Sequence, residues 1–333
     1  MAYLLKRVCS YAAVLVLALS LNFTLPRLIP GNPIEELTGG VGSVAMDLDP
    51  LAREVLRSYY GLDQPLAVQF GRYVAGLCRG DLGYSIHYRS AVTPLLVERL
   101  PWTLLLTLSA VLLSFSVAIF LGARAGSADR WEGAVLVPAV LLESMPSFVL
   151  GSILLVLLAV KLPLFPLGGA YTSLAGVTGW GNVLDVIHHA ALPVVVLAAS
   201  AFFPAYLVVR SSTRLVTHEA YVLMAEMKGL SERAIRYRYV LRTALLPVVS
   251  FFGLRLAYSA GGAIMVEVLF AYPGIGKLTY DAVLAHDYAL LQGTFAFFTL
   301  WVLSINFLTD CLYVSLDPDR KSTRLNSSHT DIS

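Results

Sequence analysis

The groups able to move a proton, hold a metal or attack a carbonyl are few in this chain and stand far apart. Of six histidines only His188 and His189 are adjacent. Neighbours on a helix point about 100° apart, so the pair reads as the wet start of a helix rather than as a ligand set. Cys9, Cys78 and Cys311 are odd in number and widely spread, which gives neither a disulfide framework nor a metal site. There is no glycine-rich phosphate loop ending in Lys and Ser or Thr, and no nucleophile, base and orienting group that spacing brings together. The chain is therefore read as not an enzyme: no catalytic residue, cofactor or metal is assigned. What remains is charge in unusual places. Arg210, Arg214, Lys228, Arg233, Arg236, Arg238 and Arg242 crowd one stretch, while Glu143, Arg255 and Asp310 interrupt apolar runs. An ionised group at such a depth needs water, a counter-charge or a partner subunit. For Glu143 a functional reading and a protonated or helix-paired structural one both stand, and Asp310 is a candidate acid for Arg255.

The elements around those charges belong in lipid. Hydrophobic residues make up 57% of the 333, charged ones only 14%, and the mean hydropathy is +0.71. The net charge of +2 gives no case for a nucleic-acid partner. Six runs can span: about 8–25, 103–121, 134–160, 191–209, 246–269 and 291–314. The first follows Lys6 and Arg7 and mimics a signal peptide at Ala18-Leu19-Ser20, but an uncleaved helix is simpler in a chain that is itself a membrane protein. Residues 1–30 are thus a first transmembrane helix, 31–101 an external polar segment with short amphipathic helices, and 102–316 a five-helix core. Asp129 and Glu132 read as an N-terminal cap of the third span, and Pro146 should kink that span. The stretch WGNVLDVIHHAALP is expected along the outer surface. Gly253, Ala257 and Gly261, widened by Gly262, form a small-residue stripe that suits close helix packing or a pore wall. Lys and Arg favour one side in the short loops, which puts both termini in the cytoplasm. The polar tail 321–333 is expected to be disordered, and could be a cloning or sequencing scar.

The basic stretch lies between two spans, from Thr217 to Pro247 within a loop of 210–247. Thr217 is expected as an N-cap with Glu219 in the first turn, Lys228 falls in the last turn, and Gly229 can take the left-handed conformation that closes a helix. Ser231 and Glu232 then start a second helix that runs to Pro247. The wording AEMKGLSERAIRYRYVLRTALLP resembles the coupling loop of permease subunits of binding-protein-dependent ABC importers, and is closest to the dipeptide, oligopeptide and nickel branch. Ala225, Lys228, Gly229 and Pro247 stand at the loop's characteristic positions, while Glu226 and Met227 replace the more usual basic and small residues. The same branch is resembled at Gly80-Asp81-Leu82-Gly83-Tyr84-Ser85 and Pro94. It is resembled again at Glu267, Phe270, Pro273, Gly274, Gly276, Asp281, Asp287 and Tyr288, and the likeness runs from Leu4 to Arg320.

The resemblance implies an all-α polytopic protein of the type I importer permease fold, with six transmembrane helices, in a bacterial cytoplasmic membrane. Its partners would be a second, similar permease, two ABC ATPases, an external substrate-binding protein and membrane lipid. ATP hydrolysis would belong to the ATPases. Glu219, Ala225, Lys228, Gly229 and Pro247 would serve the ATPase-coupling loop, and Gly80, Asp81, Gly83, Pro273 and Gly274 the external loops. Glu143, Arg255, Gly261, Gly262 and Glu267 would line a path or a permease interface. Di- or oligopeptides lead as cargo, with nickel, glutathione or another small solute as alternatives. An ion-coupled carrier using Glu143, Arg255 and Asp310 would need an internal repeat, which is not evident. An intramembrane enzyme would need reactive residues at matched depth.

Overall fold

The computed structural model describes residues 2–28, 54, 58, 63–127, 132–172 and 180–316. Among these the regular structure is helical apart from one short hairpin, and the chain divides into two compact units. Both strongly apolar composition and the need to satisfy every backbone group in lipid favour helices here.

The first unit gathers Met1–Leu104, Gly168–Ala170 and Ala263–Leu303. Its α1, Ala2–Leu28, is apolar on all sides and leaves Val14, Leu17, Leu21 and Leu25 exposed. The amphipathic α2, Leu66–Arg79, lies against the end of α1, where Phe23 meets Phe70 edge-on at 5.3 Å and Tyr73 at 6.0 Å. A two-residue antiparallel pair, β1 Tyr84–Ser85 and β2 Ser90–Ala91, leads into α3, Val92–Ser127. Three further helices complete the unit: α10 Ile264–Leu269, α11 Ile275–Leu284 and the first part of α12 Tyr288–Leu316. Val92, Leu96, Ile275, Leu278, Ala282, Leu290 and Leu291 form their shared core.

The second unit gathers Leu105–Leu167, Tyr171–Gly262 and Ser304–Ser333. Here the rest of α3 packs on α6, Trp180–Thr217, where glycines replace side chains: a Cβ on Gly126 would come within 2.7 Å of the Thr213 side chain. Phe115 touches the rings of Phe251 and Phe252 at 6.0 and 5.0 Å, and Val111, Tyr206, Val209 and Val248 fill the core around it. Between these helices run α4 Glu132–Ser144 and α5 Ser147–Leu154, the latter continuing as a π-helical turn over Leu155–Lys161. Then come α7 Ala220–Met227 and α8 Glu232–Ala234, a second π-helical turn Ile235–Val240, and α9 Leu241–Gly262.

Five described helices are long and apolar enough to cross a membrane, or six spans if one bent pair counts as one. That pair corrects the expected third span. Pro146 does not kink a helix but ends one, and the two halves meet at 103°. The stretch WGNVLDVIHHAALP is no separate surface segment; it is the start of α6, which continues past Pro193 and Pro204. The fifth span stops at Gly262, and α10 is a distinct short helix after it. Thr217 is the last residue of α6 and its hydroxyl donates back to the Thr213 carbonyl at 2.8 Å, so the N-cap of α7 is Glu219 instead. Asp129, most of 31–62 and the 321–333 tail lie outside the described residues.

Candidate functional site

The basic loop is a helical hairpin. Gly229 adopts φ +73°, and two bonds close α7 around it: the Gly229 amide donates to the Glu226 carbonyl at 2.9 Å and the Leu230 amide to the Ala225 carbonyl at 3.4 Å. This is the Schellman pattern, in which a left-handed residue satisfies the last carbonyls of a helix. Lys228 is the C-cap itself and is exposed. Ser231 caps the next helix, its hydroxyl accepting from the Ala234 amide at 3.3 Å. Val222, Ala225, Ile235 and Val240 then pack together as a small core of the hairpin. A phenol joins its two arms, Tyr221 donating to Thr243 Oγ1 at 3.1 Å.

Ala225 faces this core and is only 2% exposed, so it sets how closely the two arms approach and does not present itself to a partner. The face presented outward is apolar: Leu223, Met224 and Met227 are exposed, Met227 at 77%. Sequence reasoning singled out the loop's charges and small residues and missed this row. Its signal was there, in an apolar VLM followed by Met227 inside a loop assigned to water. Pro247 lies within α9, and the hairpin's second arm continues into that helix through the π-helical turn without a break. Single π-helical turns concentrate at functional places because they insert a residue into an otherwise regular helix.

In the same unit, Arg255 holds its guanidinium 5.5 Å from the centroid of the Phe251 ring, and its Nε is buried without a hydrogen-bond partner. Glu143, an exposed residue of α4, lies within its electrostatic range. These two charges, far apart in sequence, are thus brought toward each other. Gly253 of the small-residue stripe accepts a close neighbour, since a Cβ there would fall onto the Thr309 side chain. Gly261 and Gly262 do not: nothing lies within 4 Å of a Cβ built on either. They leave α9 an open, exposed end.

The other blocks singled out in sequence converge in the first unit. Gly80, φ +74°, closes α2 with the same two-bond pattern as Gly229, the Gly80 amide donating to Leu77 and the Asp81 amide to Gly76. Asp81 Oδ1 accepts from the amide of Gly83, itself at φ +88°, and Thr93 Oγ1 donates to the Gly80 carbonyl at 2.8 Å. Beyond this turn the chain is tied to residues some 200 positions away. Asp287 Oδ2 accepts from Ser85 Oγ at 2.6 Å and from the His87 amide at 3.0 Å, while its Oδ1 caps α12 through the Leu290 amide. Tyr88 donates to Asp281 Oδ2, which also accepts from Lys277 Nζ at 2.8 Å. Burial, with Asp281 beside it, pushes the Tyr88 phenol up to about 12, so it stays a neutral donor.

Glu267 is fully buried in this chain. Its Oε1 accepts from Thr103 Oγ1 at 2.8 Å and its Oε2 from the Lys277 amide at 3.0 Å, and Thr103 in turn accepts from the Ile275 amide. The carboxyl group therefore sits at the N-terminus of α11, where it accepts from an amide that the helix leaves free. Geometry gives Glu267 a capping role within the chain. Gly274 and Gly276 are glycine because of it: a Cβ on Gly274 would fall onto the carboxyl group, and one on Gly276 would lie 2.8 Å from Oε2. Pro273, half-buried, makes the turn between α10 and α11.

Among the described residues no group of three or more His, Cys, Asp or Glu could hold a metal ion. The family model described as binding-protein-dependent transport system inner membrane component matches residues 114–322. The oligopeptide transport system permease protein AppB of Bacillus subtilis is 30% identical over 322 residues, covering 95% of this chain and 98% of its own length. The di/tripeptide transport system permease protein DppB of Pseudomonas aeruginosa is 32% identical over 314 residues, 90% of this chain and 92% of its own. The glutathione transport system permease protein GsiC of Salmonella paratyphi A is 32% identical over 318 residues, 95% and 97% of the two chains.

Proposed function

Since the chain belongs to the family of binding-protein-dependent transport system inner membrane components, and is a permease subunit of an ATP-driven importer, we propose that it passes di- or oligopeptides across a bacterial cytoplasmic membrane. A permease of this kind works with an ABC ATPase and a substrate-binding protein. The reading extends that assembly to a second, similar permease and a pair of ATPases. Two of the relatives named above carry peptides in their names, and this supports peptide as cargo. Glutathione, itself a short peptide-like solute, is the second reading because the third relative bears its name. Membership of the family removes the ground for a self-contained carrier.

The observation that carries the coupling half of the proposal is the exposed apolar row Leu223, Met224 and Met227 on a hairpin whose second arm runs straight into a span. Flexible thioethers exposed in a row suit a partner cleft, and burying them would add favourable area on docking. ATP-driven closure of the partners would push the hairpin at this row, and the continuous helix would pass the displacement to α9. Glu219 and Lys228 mark the two ends of the docking helix, and Ala225, Gly229 and Pro247 keep its shape. Glu143 and Arg255 are assigned to the passage, and the 80–94 and 267–288 blocks to the side that meets the binding protein.

The test is uptake of labelled dipeptide by the reconstituted complex, with competition by unlabelled oligopeptide, glutathione and nickel. Peptide competition alone supports the peptide reading, while competition by glutathione alone moves the cargo to the second one. In the same complex, Met224→Glu with Met227→Glu should reduce uptake more than tenfold with the chain still in the membrane. Uptake at the original rate would overturn the coupling assignment.

A further inference from the structure

In the first unit a cavity of about 250 Å³ opens where α2 and the turn after it meet the C-terminal end of α1 and the first turn of α12. Donors dominate its walls. The Arg27 guanidinium is half-buried and spends one N–H on the Phe23 carbonyl at 2.6 Å and another on Gln69 Oε1 at 2.7 Å, so that its remaining donors are left for a ligand. Phe23 also lies under it, 3.6 Å from ring centroid to guanidinium carbon. Arg72 stands exposed at the rim. Two more donors are unspent: the Tyr73 hydroxyl and the Gln292 side-chain amide are buried without hydrogen-bond partners, and Gln292 as a whole is only 8% exposed. Burial pushes the Tyr73 phenol up to about 12, which keeps its proton in place. A buried amide or hydroxyl without a partner is costly, so such groups side by side need an acceptor-rich occupant.

The depth of the site says what kind of anion this is. Arg27 is the last residue but one of α1 and Tyr288 the first of α12, and the two helices are joined further in by Asn22 donating to Thr299 at 2.9 Å. The cavity therefore lies where two spans end, at the level of lipid headgroups, and Phe23, Tyr73, Tyr84 and Tyr288 line it as aromatic residues line that level in general. Farther along α1, on the side of the helix that carries Phe23 and Arg27, Val16 is exposed and offers apolar surface to an acyl chain. Asp81 is the one acid in the lining. A carboxylate beside two guanidinium groups suits a headgroup that carries a cation next to its phosphate.

We propose that this cavity is a phospholipid site, with the headgroup phosphodiester held by Arg27, Arg72, Tyr73 and Gln292 and an ammonium substituent facing Asp81. The proposal does not depend on the identity of the cargo. Its test uses the purified importer complex in detergent, titrated with dioleoylphosphatidylethanolamine, dioleoylphosphatidylglycerol, dioleoylglycerol and the soluble headgroup glycerophosphoethanolamine, with bound species counted by native mass spectrometry. One phosphatidylethanolamine per chain should bind at least tenfold more tightly than dioleoylglycerol and more tightly than phosphatidylglycerol. Arg72→Gln with Gln292→Leu should weaken it at least tenfold without lowering the melting temperature, because one residue is exposed and the other exchanges an unpaired amide for an apolar group of similar size. Equal binding by the double variant and the original protein would overturn the site. So would equal binding of dioleoylglycerol, which would mark an apolar belt alone, or equally tight binding of the soluble headgroup, which would mark a site for a dissolved phosphate ester. Retention of a peptide in place of lipid would overturn it as well.

Discussion

Gly80 and Gly229 end their helices in the same way, each in the left-handed region with the same pair of closing hydrogen bonds, yet the chain beyond them lives in opposite surroundings. After Gly80 every turn is fastened: to Asp81, to Thr93, and across some 200 residues to Asp287 and Asp281. After Gly229 the hairpin rests on four buried side chains, one serine cap and one tyrosine bond, and turns an apolar row outward. A local motif fixes direction, and tertiary bonding decides stiffness. The stiff region can hold a shape for a large soluble partner, and the lightly held one leaves surface free for a partner that pushes.

The contrast can be broken from either side. The largest loss of stability is expected from Asp287→Ala, which strands the Ser85 hydroxyl and the His87 and Leu290 amides and should cost about 3 kcal/mol or more. Thermal unfolding of the complex in detergent reads it, and an unchanged midpoint would mean that the fastening is idle. Gly276→Ala comes next, at about 1–3 kcal/mol, because its Cβ would meet the Ile264 backbone at 2.7 Å. Gly229→Ala should cost about 1–2 kcal/mol through its φ of +73° alone, since nothing lies within 4 Å of the added carbon. Dipeptide uptake should fall further than the melting midpoint does. Met224→Ser with Met227→Ser should change stability by less than about 0.5 kcal/mol, as exposed substitutions do, while coupling of ATP hydrolysis to uptake is lost. A melting shift larger than that for Gly276→Ala would make the row part of the hairpin's own packing.

Local chemistry made much of this fold legible beforehand. Gly80 and Gly229 as helix closers, Ser231 as a cap and most of the apolar spans follow from residue type and spacing. What a single stretch cannot say is which way a helix turns after a proline. Pro146 breaks one helix by 103°, while Pro193, Pro204 and Pro247 sit inside others, because neighbouring side chains decide whether the freed carbonyl is satisfied. Ala225 stood at a characteristic position of the coupling loop by resemblance, and only the fold shows that it faces Ile235 and Val240. Glu267 resembled a charge in a passage, and its place under the α11 N-terminus depends on Thr103, 164 positions away.

Where Gly253 meets Thr309, α9 and α12 approach so closely that a single added carbon would collide. A tilt about this point keeps the two helices in contact. Ile235, where the hairpin's second arm begins its π-helical turn, stands eighteen residues earlier on the same continuous helix, roughly 27 Å away at 1.5 Å per residue. The glycine is thus a fulcrum near one end of a long arm. A shift of about 2 Å at the hairpin corresponds to a tilt of only a few degrees at the fulcrum, so a modest push on the exposed methionines is geared down into a small, stiff rotation of the span.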